Sequence, residues 1–355
     1  MIILRMCDFP TKASLKKKES IIDNGLAITN LIPQTKEYMK RKHKVIVFSG
    51  GSKTEFKENI QGIPVYHSRL PRLNNYLFGF GLLQAIKKIT INEGKPDILI
   101  IHNPLTGAGT WFLKKIFRVP IIVHVHGTFT IRNRFEKWLA KKVLQSADGI
   151  ISISPPTTKQ IISLDKKLKK KVVLIRNGVP IERFVPKGKI QNKVIFFGRD
   201  TQQKNLQTFL NAVKILKKKY PSFKFGVLGA EINNDLLDFS KVVDPEKVPG
   251  EIEKSVIVMP YLSNTFGKTT PEAMAMECIV VGTDTDIPND AKKHGFFYDK
   301  NQATDAKVLA KEIEKAIKSN RKDIGKEARG FVLKNYAWKN NVDKQIDLIN
   351  KILKN

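Results

Sequence analysis

Short, predominantly apolar runs alternate with longer stretches of helical spacing along this chain. Val45–Phe48, Ile98–Ile101, Ile121–Val125, Ile150–Ile153 and Val172–Ile175 have the length and continuity of buried strands. Val194–Phe197, Phe225–Leu228, Val256–Met259 and Ile279–Val281 repeat the pattern in the second half, and Met1–Pro10 reads as a first strand. Leu206, Phe209, Leu210, Val213 and Leu216 recur at helical spacing and predict a helix with one buried face. A strand apolar on both sides needs helices above and below it, so the alternation predicts an α/β protein built on parallel sheets. Ligands in such sheets sit at the carboxyl ends of the strands.

The chain's 355 residues exceed what one hydrophobic core ordinarily organises, so two domains are expected. A Gly- and Pro-containing stretch near residues 177–189 marks the boundary. It separates a domain over 1–180 from one over 181–335, and a terminal helix from about Trp338 occupies 336–355. Two cysteines, Cys7 and Cys278, are too few for a disulfide framework and suit a reducing compartment. No apolar run is long enough for a transmembrane helix, and the N-terminal run is too short for a signal peptide. A cytoplasmic protein is the expectation.

Two strand ends carry candidate chemistry. After Val256–Met259 the chain turns through Gly267 into a helix predicted to begin with Thr270 as N-cap, Pro271 at N1 and Glu272 at N2. This is either a well-capped helix with Glu272 complementing the macrodipole, or an anion site formed by the turn and the helix start. The strand Val194–Phe197 ends in Gly198-Arg199, and Lys204-Asn205 opens the next predicted helix. Cations beside a helix N-terminus are unfavourable unless an anion lies between them, so Arg199 and Lys204 suit a phosphate. Solvated surface charge is the other reading.

Taken together, five segments resemble the retaining GT-B glycosyltransferases, family 4 in particular, which share a fold with glycogen synthase. They are Val123–Gly127 ending in His-Gly, Ser146–Ser154, Ile175–Val179 with Phe184 and Pro186, Phe197–Arg199 with Lys204-Asn205, and Asn264 to Ala275. The resemblance covers nearly the whole chain. It implies two Rossmann-like doubly wound domains facing across a cleft, the first on the acceptor side and the second binding the nucleotide sugar. The last helix would cross back to the first domain.

The resemblance also assigns roles. His126 would contact the donor sugar near the reacting carbon, and Arg199 and Lys204 would clamp the pyrophosphate. Phe266 and the backbone of Gly267, Lys268 and Thr269 would line the donor site, with Glu272 accepting from the ribose hydroxyls. Asn24-Gly25 looks like a degraded phosphate-covering glycine loop, although Gly25 reads equally as a helix-start glycine. Asn264 stands where the family has a carboxylate, a replacement expected to alter sugar preference rather than abolish activity. Glu277 and Ile279 depart from the pattern as well.

Three further motifs are set aside. Gly267-Lys268-Thr269 imitates a P-loop tail, but Leu262 stands where its first glycine must be. Asp284-Thr285-Asp286 imitates the metal site of the other glycosyltransferase fold, at a position GT-B proteins use structurally. His124 and His126 could pair on zinc, but no third ligand is evident at a suitable spacing. The expectation is therefore no metal and no cofactor beyond the nucleotide-diphosphate sugar, which is a substrate.

Charge adds a partner question. The net charge is +30, and through Pro186 there are 33 lysines and arginines against 12 acidic residues. An anionic membrane, a phosphate-bearing acceptor, nucleic acid or simply a solvated lysine surface would each account for it. Arg69–Phe80 and Arg132–Val143 mix basic and aromatic residues. The second has Phe135, Trp138, Leu139 and Val143 as an apolar stripe that could lie on an anionic membrane or pack on its own sheet. No nucleic-acid recognition motif is present, so nucleic acid is not expected. A glycan or lipid-linked acceptor in envelope or glycoconjugate synthesis is the reading. A GT-B epimerase or hydrolase, a basic nucleic-acid-binding protein and an inactive scaffold are the alternatives.

Overall fold

The computed structural model describes residues 1–7, 9, 11, 30–50, 52–69, 78–107, 114, 117–263 and 266–354. These divide into two compact units, one formed by Met1–Asn177 with Trp338–Asn355, the other by Gly178–Ala337.

The first unit holds β1 (Ile2–Met6), β2 (Lys44–Ser49), β3 (Phe56–Ile60), β4 (Ile63–His67), β5 (Ile98–His102), β6 (Ile121–Val125), β7 (Gly149–Ser152) and β8 (Val172–Leu174). Among the described residues they form one sheet in the order β3-β4-β2-β1-β5-β6-β7-β8. Every neighbouring pair is parallel except the β3–β4 hairpin. The hairpin escaped the sequence pattern because β3 (Phe-Lys-Glu-Asn-Ile) buries only Ile60 and lies at the edge.

Helices α1 (Ile32–Lys40), α2 (Phe78–Glu93), α3 (Arg134–Ser146) and α4 (Pro155–Leu164) accompany this sheet. Leu139, Ala140, Val143 and Leu144 of α3 and Ile161 of α4 pack with Leu4, Ile46, Leu99, Ile121 and Ile150 on one face. Caps set both helix starts. Asn133 Oδ1 accepts from Glu136 N at 2.8 Å, and Ser154 caps a helix whose first residues are Pro155 and Pro156.

The second unit carries β9 (Lys193–Phe197), β10 (Lys224–Leu228), β11 (Phe239–Lys241), β12 (Val256–Met259), β13 (Ile279–Thr283) and β14 (Gly295–Tyr298). Their order is β11-β10-β9-β12-β13-β14, all parallel. Helices α5 (Leu206–Leu216), α6 (Val248–Ile252), α7 (Thr269–Ala275), α8 (Asn289–Lys292), α9 (Ala306–Lys318) and α10 (Arg321–Asn335) complete it.

The last helix, α11 (Trp338–Lys354), belongs to the first unit. Val342 and Ile349 join Ile3, Val45, Ile98, Ile122 and Ile151 in the core on the face opposite α3. Polar bonds pin it to α1 and its flank: the Tyr38 hydroxyl donates to Gln345 Oε1 at 2.7 Å, and Arg41 Nε donates to Asp343 Oδ1 at 2.7 Å.

Each sheet has a point where the chain leaves one side and resumes on the other. In the first it lies between β1 and β5, in the second between β9 and β12. Strand connections diverge there and leave a crevice at the carboxyl ends. Arg5 and His102 stand at the first of these points, Phe197–Arg199 and Pro260-Tyr261 at the second.

Candidate active site

In the second unit Tyr261 joins the two strand ends. It follows β12 after Pro260 and is fully buried. Its hydroxyl donates to Phe197 O, while its oxygen accepts from the Thr269 side chain. A Cβ on Gly198 would come within 2.9 Å of the Tyr261 oxygen, which explains the glycine before Arg199. Gly229, at φ +111°, closes the same corner, where a side chain would strike Gly198 O.

Lys204 ends a single 3-10 turn (Gln202–Lys204) and lays its ammonium 3.5 Å from the centroid of the Tyr261 ring. Burial and the neighbouring Arg199 charge push its pKa down to about 8. Arg199 itself is exposed. Among the described residues, neither cation pairs with a carboxylate. Asn205 takes the left-handed conformation at φ 55° and ties the turn to its surroundings. Its Nδ2 donates to Pro260 O at 3.0 Å and Ala303 O at 2.8 Å, and its Oδ1 accepts from Thr208 Oγ1 at 2.8 Å.

The Gly267–Glu272 segment departs from the predicted cap. Helix α7 starts at Thr269, and Lys268 is its N-cap residue, with no side-chain cap bond. Thr270 is buried, with its hydroxyl directed at Met259 Sδ, so it packs rather than caps. The Phe266 ring is also turned into the core, against Tyr336 at 5.1 Å, which leaves only its backbone for a ligand. Glu272 lies in the first turn. Burial raises its pKa, while Lys268 and Arg183 pull it back. The segment therefore brings Lys204, Tyr261 and Thr269 into one cluster, with Arg199 beside Lys204. Glu272, Lys268 and Arg183 form a second charged group on the same helix start. Gly25 and Asn264 lie outside the described residues.

His126 belongs to the first unit. It follows β6, and Gly127 after it adopts φ +150°, a conformation glycine tolerates and other residues rarely do. The register pairs His102 of β5 with His124 of β6. His102 is the third imidazole that the sequence spacing did not disclose. One ligand atom from each of His102, His124 and His126 lies within 4.8 Å of the others. Arg5 decides what this cluster can do. Its Nη2 stands 3.1 Å from His102 Nε2, and a guanidinium only donates. Neutral His102 therefore carries its proton on Nδ1, which faces His126 Nε2 at 2.5 Å. Burial, reinforced by Arg5, holds His102 well below the ordinary histidine range. With those lone pairs engaged, the arrangement does not offer three nitrogens to a metal.

The DxD-like pair reads structurally. Asp284 accepts from Lys300 N at 3.2 Å and pairs with Lys292 at 3.3 Å. Helix α3 splits its predicted stripe. Leu139 and Val143 are buried, whereas Phe135 and Trp138 are about half exposed, with ring centroids 5.8 Å apart. Among the described residues no helix is long and apolar enough to cross a membrane.

The chain is similar to known glycosyltransferases in sequence and in fold. Residues 34–183 match the profile described as Glycosyltransferase Family 4, and residues 191–319 match Glycosyl transferases group 1. Over 245 residues the chain is 21% identical to a D-inositol 3-phosphate glycosyltransferase of Paenarthrobacter aurescens (strain TC1); the match takes in 57% of this chain but only 60% of that protein. The fold is similar to sucrose-phosphate synthase from Thermosynechococcus elongatus, with TM-score 0.71, 15% identity and 99% of each chain covered. It is equally similar to the catalytic domain of starch synthase IV from Arabidopsis thaliana, solved with ADP and acarbose, at TM-score 0.71 and 12% identity, covering 100% of this chain and 99% of that one. The two parallel-dominated α/β units are those of the GT-B fold.

Proposed function

This chain belongs to glycosyltransferase family 4, and we propose that it moves a sugar from a nucleotide-diphosphate sugar to a glycan or lipid-linked acceptor, with retention of anomeric configuration and without a metal. The observation that carries the reading is the convergence of Arg199 and the half-buried Lys204 at the carboxyl ends of β9 and β12, with no carboxylate partner among the described residues. A diphosphate supplies the negative charge such a pair lacks.

The chemistry follows from charge development. As the bond from the anomeric carbon to the phosphate oxygen breaks, negative charge grows on the diphosphate, and Arg199 and Lys204 stabilise it. The acceptor hydroxyl forms the new bond on the same face of the sugar, and its proton passes to the departing phosphate oxygen. No added base is required. Glu272 takes the ribose hydroxyls and His126 the donor sugar. Asn264, an amide in place of a carboxylate, bears on which sugar is accepted.

The acceptor side draws on the basic first unit. Phe135 and Trp138 stand exposed beside Arg134, Lys137 and Lys142, a combination suited to an anionic membrane surface that would present a lipid-linked acceptor.

Thermal-shift titration with UDP, ADP and GDP and their sugars tests the donor assignment. Stabilisation by one nucleotide family, lost in Arg199→Ala and Glu272→Ala, supports it; an unchanged response in both variants refutes it. NMR of the product then reads the anomeric outcome. Sugar release or an epimerised product without acceptor would identify a hydrolase or epimerase instead.

A further inference from the structure

Arg5 is an unusual residue for the centre of a sheet. It is 1% exposed and sits in the apolar strand β1. Among the described residues its guanidinium meets only neutral acceptors: Leu31 O at 3.1 Å, Thr35 Oγ1, Gln34 Oε1 and His102 Nε2. A buried cation is costly, and this one is immobilised from the α1 side by three of those contacts. Its fourth contact is directed at the histidine cluster.

The geometry of that cluster is directional. The rings of His102 and His126 lie within 8° of one plane, with centroids 4.8 Å apart and nitrogens 2.5 Å apart. That is the arrangement of two imidazoles joined edge to edge by one in-plane N–H···N bond. His124 stacks on His126 at 4.1 Å and 24°, which holds the plane of the ring. Because Arg5 can only donate, the polarity of the chain is fixed from its buried end. His102 Nε2 accepts, His102 Nδ1–H donates, and His126 Nε2 accepts. His126 must then be neutral with its proton on Nδ1.

We infer that His102, oriented by Arg5, is a positioning residue that sets the tautomer of His126, keeping its proton on the buried Nδ1 so that His126 meets the donor sugar as a neutral ring of fixed tautomer. The inference rests on the reading of His126 as a donor-sugar contact. An imidazole left to itself prefers the proton on Nε2, so the chain reverses the default. A ring held in one neutral tautomer keeps its place beside the sugar as charge develops during transfer, without gaining or losing a proton.

Heteronuclear NMR of protein labelled with 15N-histidine reads the tautomer directly, with His126 assigned by comparison with His126→Asn. The wild type is expected to show Nδ1–H at His126. In His102→Phe the proton moves to Nε2 or becomes mixed, and kcat falls about tenfold or more, with KM for the nucleotide sugar nearly unchanged. His102→Gln, whose carbonyl can accept from Arg5 and whose amide can donate to His126, restores both the tautomer and most of kcat. A wild-type spectrum with the proton on Nε2 overturns the inference, even if His102→Phe does not fold. So does a His102→Phe variant with the wild-type tautomer and rate. Stoichiometric Zn2+ binding to the wild type that is lost in His102→Phe would make the cluster a metal site, and would overturn it too. Full transfer activity in His126→Ala would instead refute the donor-sugar reading, while the spectra still decide the tautomer.

Discussion

Lys204 rests over the face of Tyr261, its ammonium 3.5 Å from the ring centroid, and the same tyrosine bonds Phe197 O and Thr269. One aromatic side chain thus sets the height of a cation, the end of a strand and the start of a helix.

Diphosphate binding should weaken with alkaline pH. In the ligand-free protein Lys204 titrates at about 8, because burial and Arg199 disfavour its charge. A bound diphosphate stabilises that charge and raises the pKa. Binding is therefore strongest below pH 8 and falls as the pH rises towards the bound-state pKa, by up to about tenfold per pH unit. Calorimetry with the preferred nucleotide at pH 7 and pH 9 checks this, since the phosphate ionisation near about pH 6 is complete at both. Lys204→Met should bind weakly and without this slope.

Gly198→Ala should disturb the Tyr261 corner. The new methyl would lie 2.9 Å from the tyrosine oxygen. A loss of about 1–3 kcal/mol is expected from denaturant unfolding. In a Tyr261→Phe background, where the hydroxyl is absent, the same change should cost less by about 1 kcal/mol, and strict additivity would contradict the contact.

Asn205→Ala removes two bonds to the carbonyls of Pro260 and Ala303 and strains a left-handed residue. The expected destabilisation is about 2–4 kcal/mol. Asn205→Gly, which relieves the strain but not the lost bonds, should fall between the two.

Phe135→Ser with Trp138→Ser should leave folding intact, since both rings are about half exposed. Flotation on vesicles containing anionic lipid should drop several-fold relative to wild type. Equal recovery of the wild type on neutral and anionic vesicles would rule out the charged-surface part of the proposal.

Much of the scaffold was legible because parallel strands are apolar on both faces. β6 and β12 occupy the predicted residues, and β2, β5, β7, β8, β9, β10 and β13 differ by a residue or two at their ends, whereas β1 stops at Met6, short of the predicted Pro10, and β11 and β14 were not predicted. What escaped depended on contacts between distant segments. β3 is polar because it is an edge, and its partner β4 pairs with it only through a hairpin. His102 becomes the neighbour of His124 through the β5–β6 register, which no spacing along the chain reveals. The Thr270 cap was misplaced because a threonine before a proline resembles a cap, whereas here packing against Met259 claims its hydroxyl. Arg5 did leave a trace, as a lone charge in an otherwise apolar strand. That trace is more informative than another lysine on a surface rich in them.

The first unit is assembled from both sides of the second in the chain, and its α11 helix covers Ile3, Val45 and Ile98. During synthesis those residues emerge early and wait for Trp338–Lys354 until all of Gly178–Ala337 has been translated. For Ile98, at about 5–20 residues per second, that is a delay on the order of 10–50 s. An apolar sheet face is uncovered throughout, while the intervening unit has everything it needs to fold first. The order of maturation on the ribosome is thus inverted relative to the order of the sequence, and the early segment is the natural client for a chaperone that binds nascent chains.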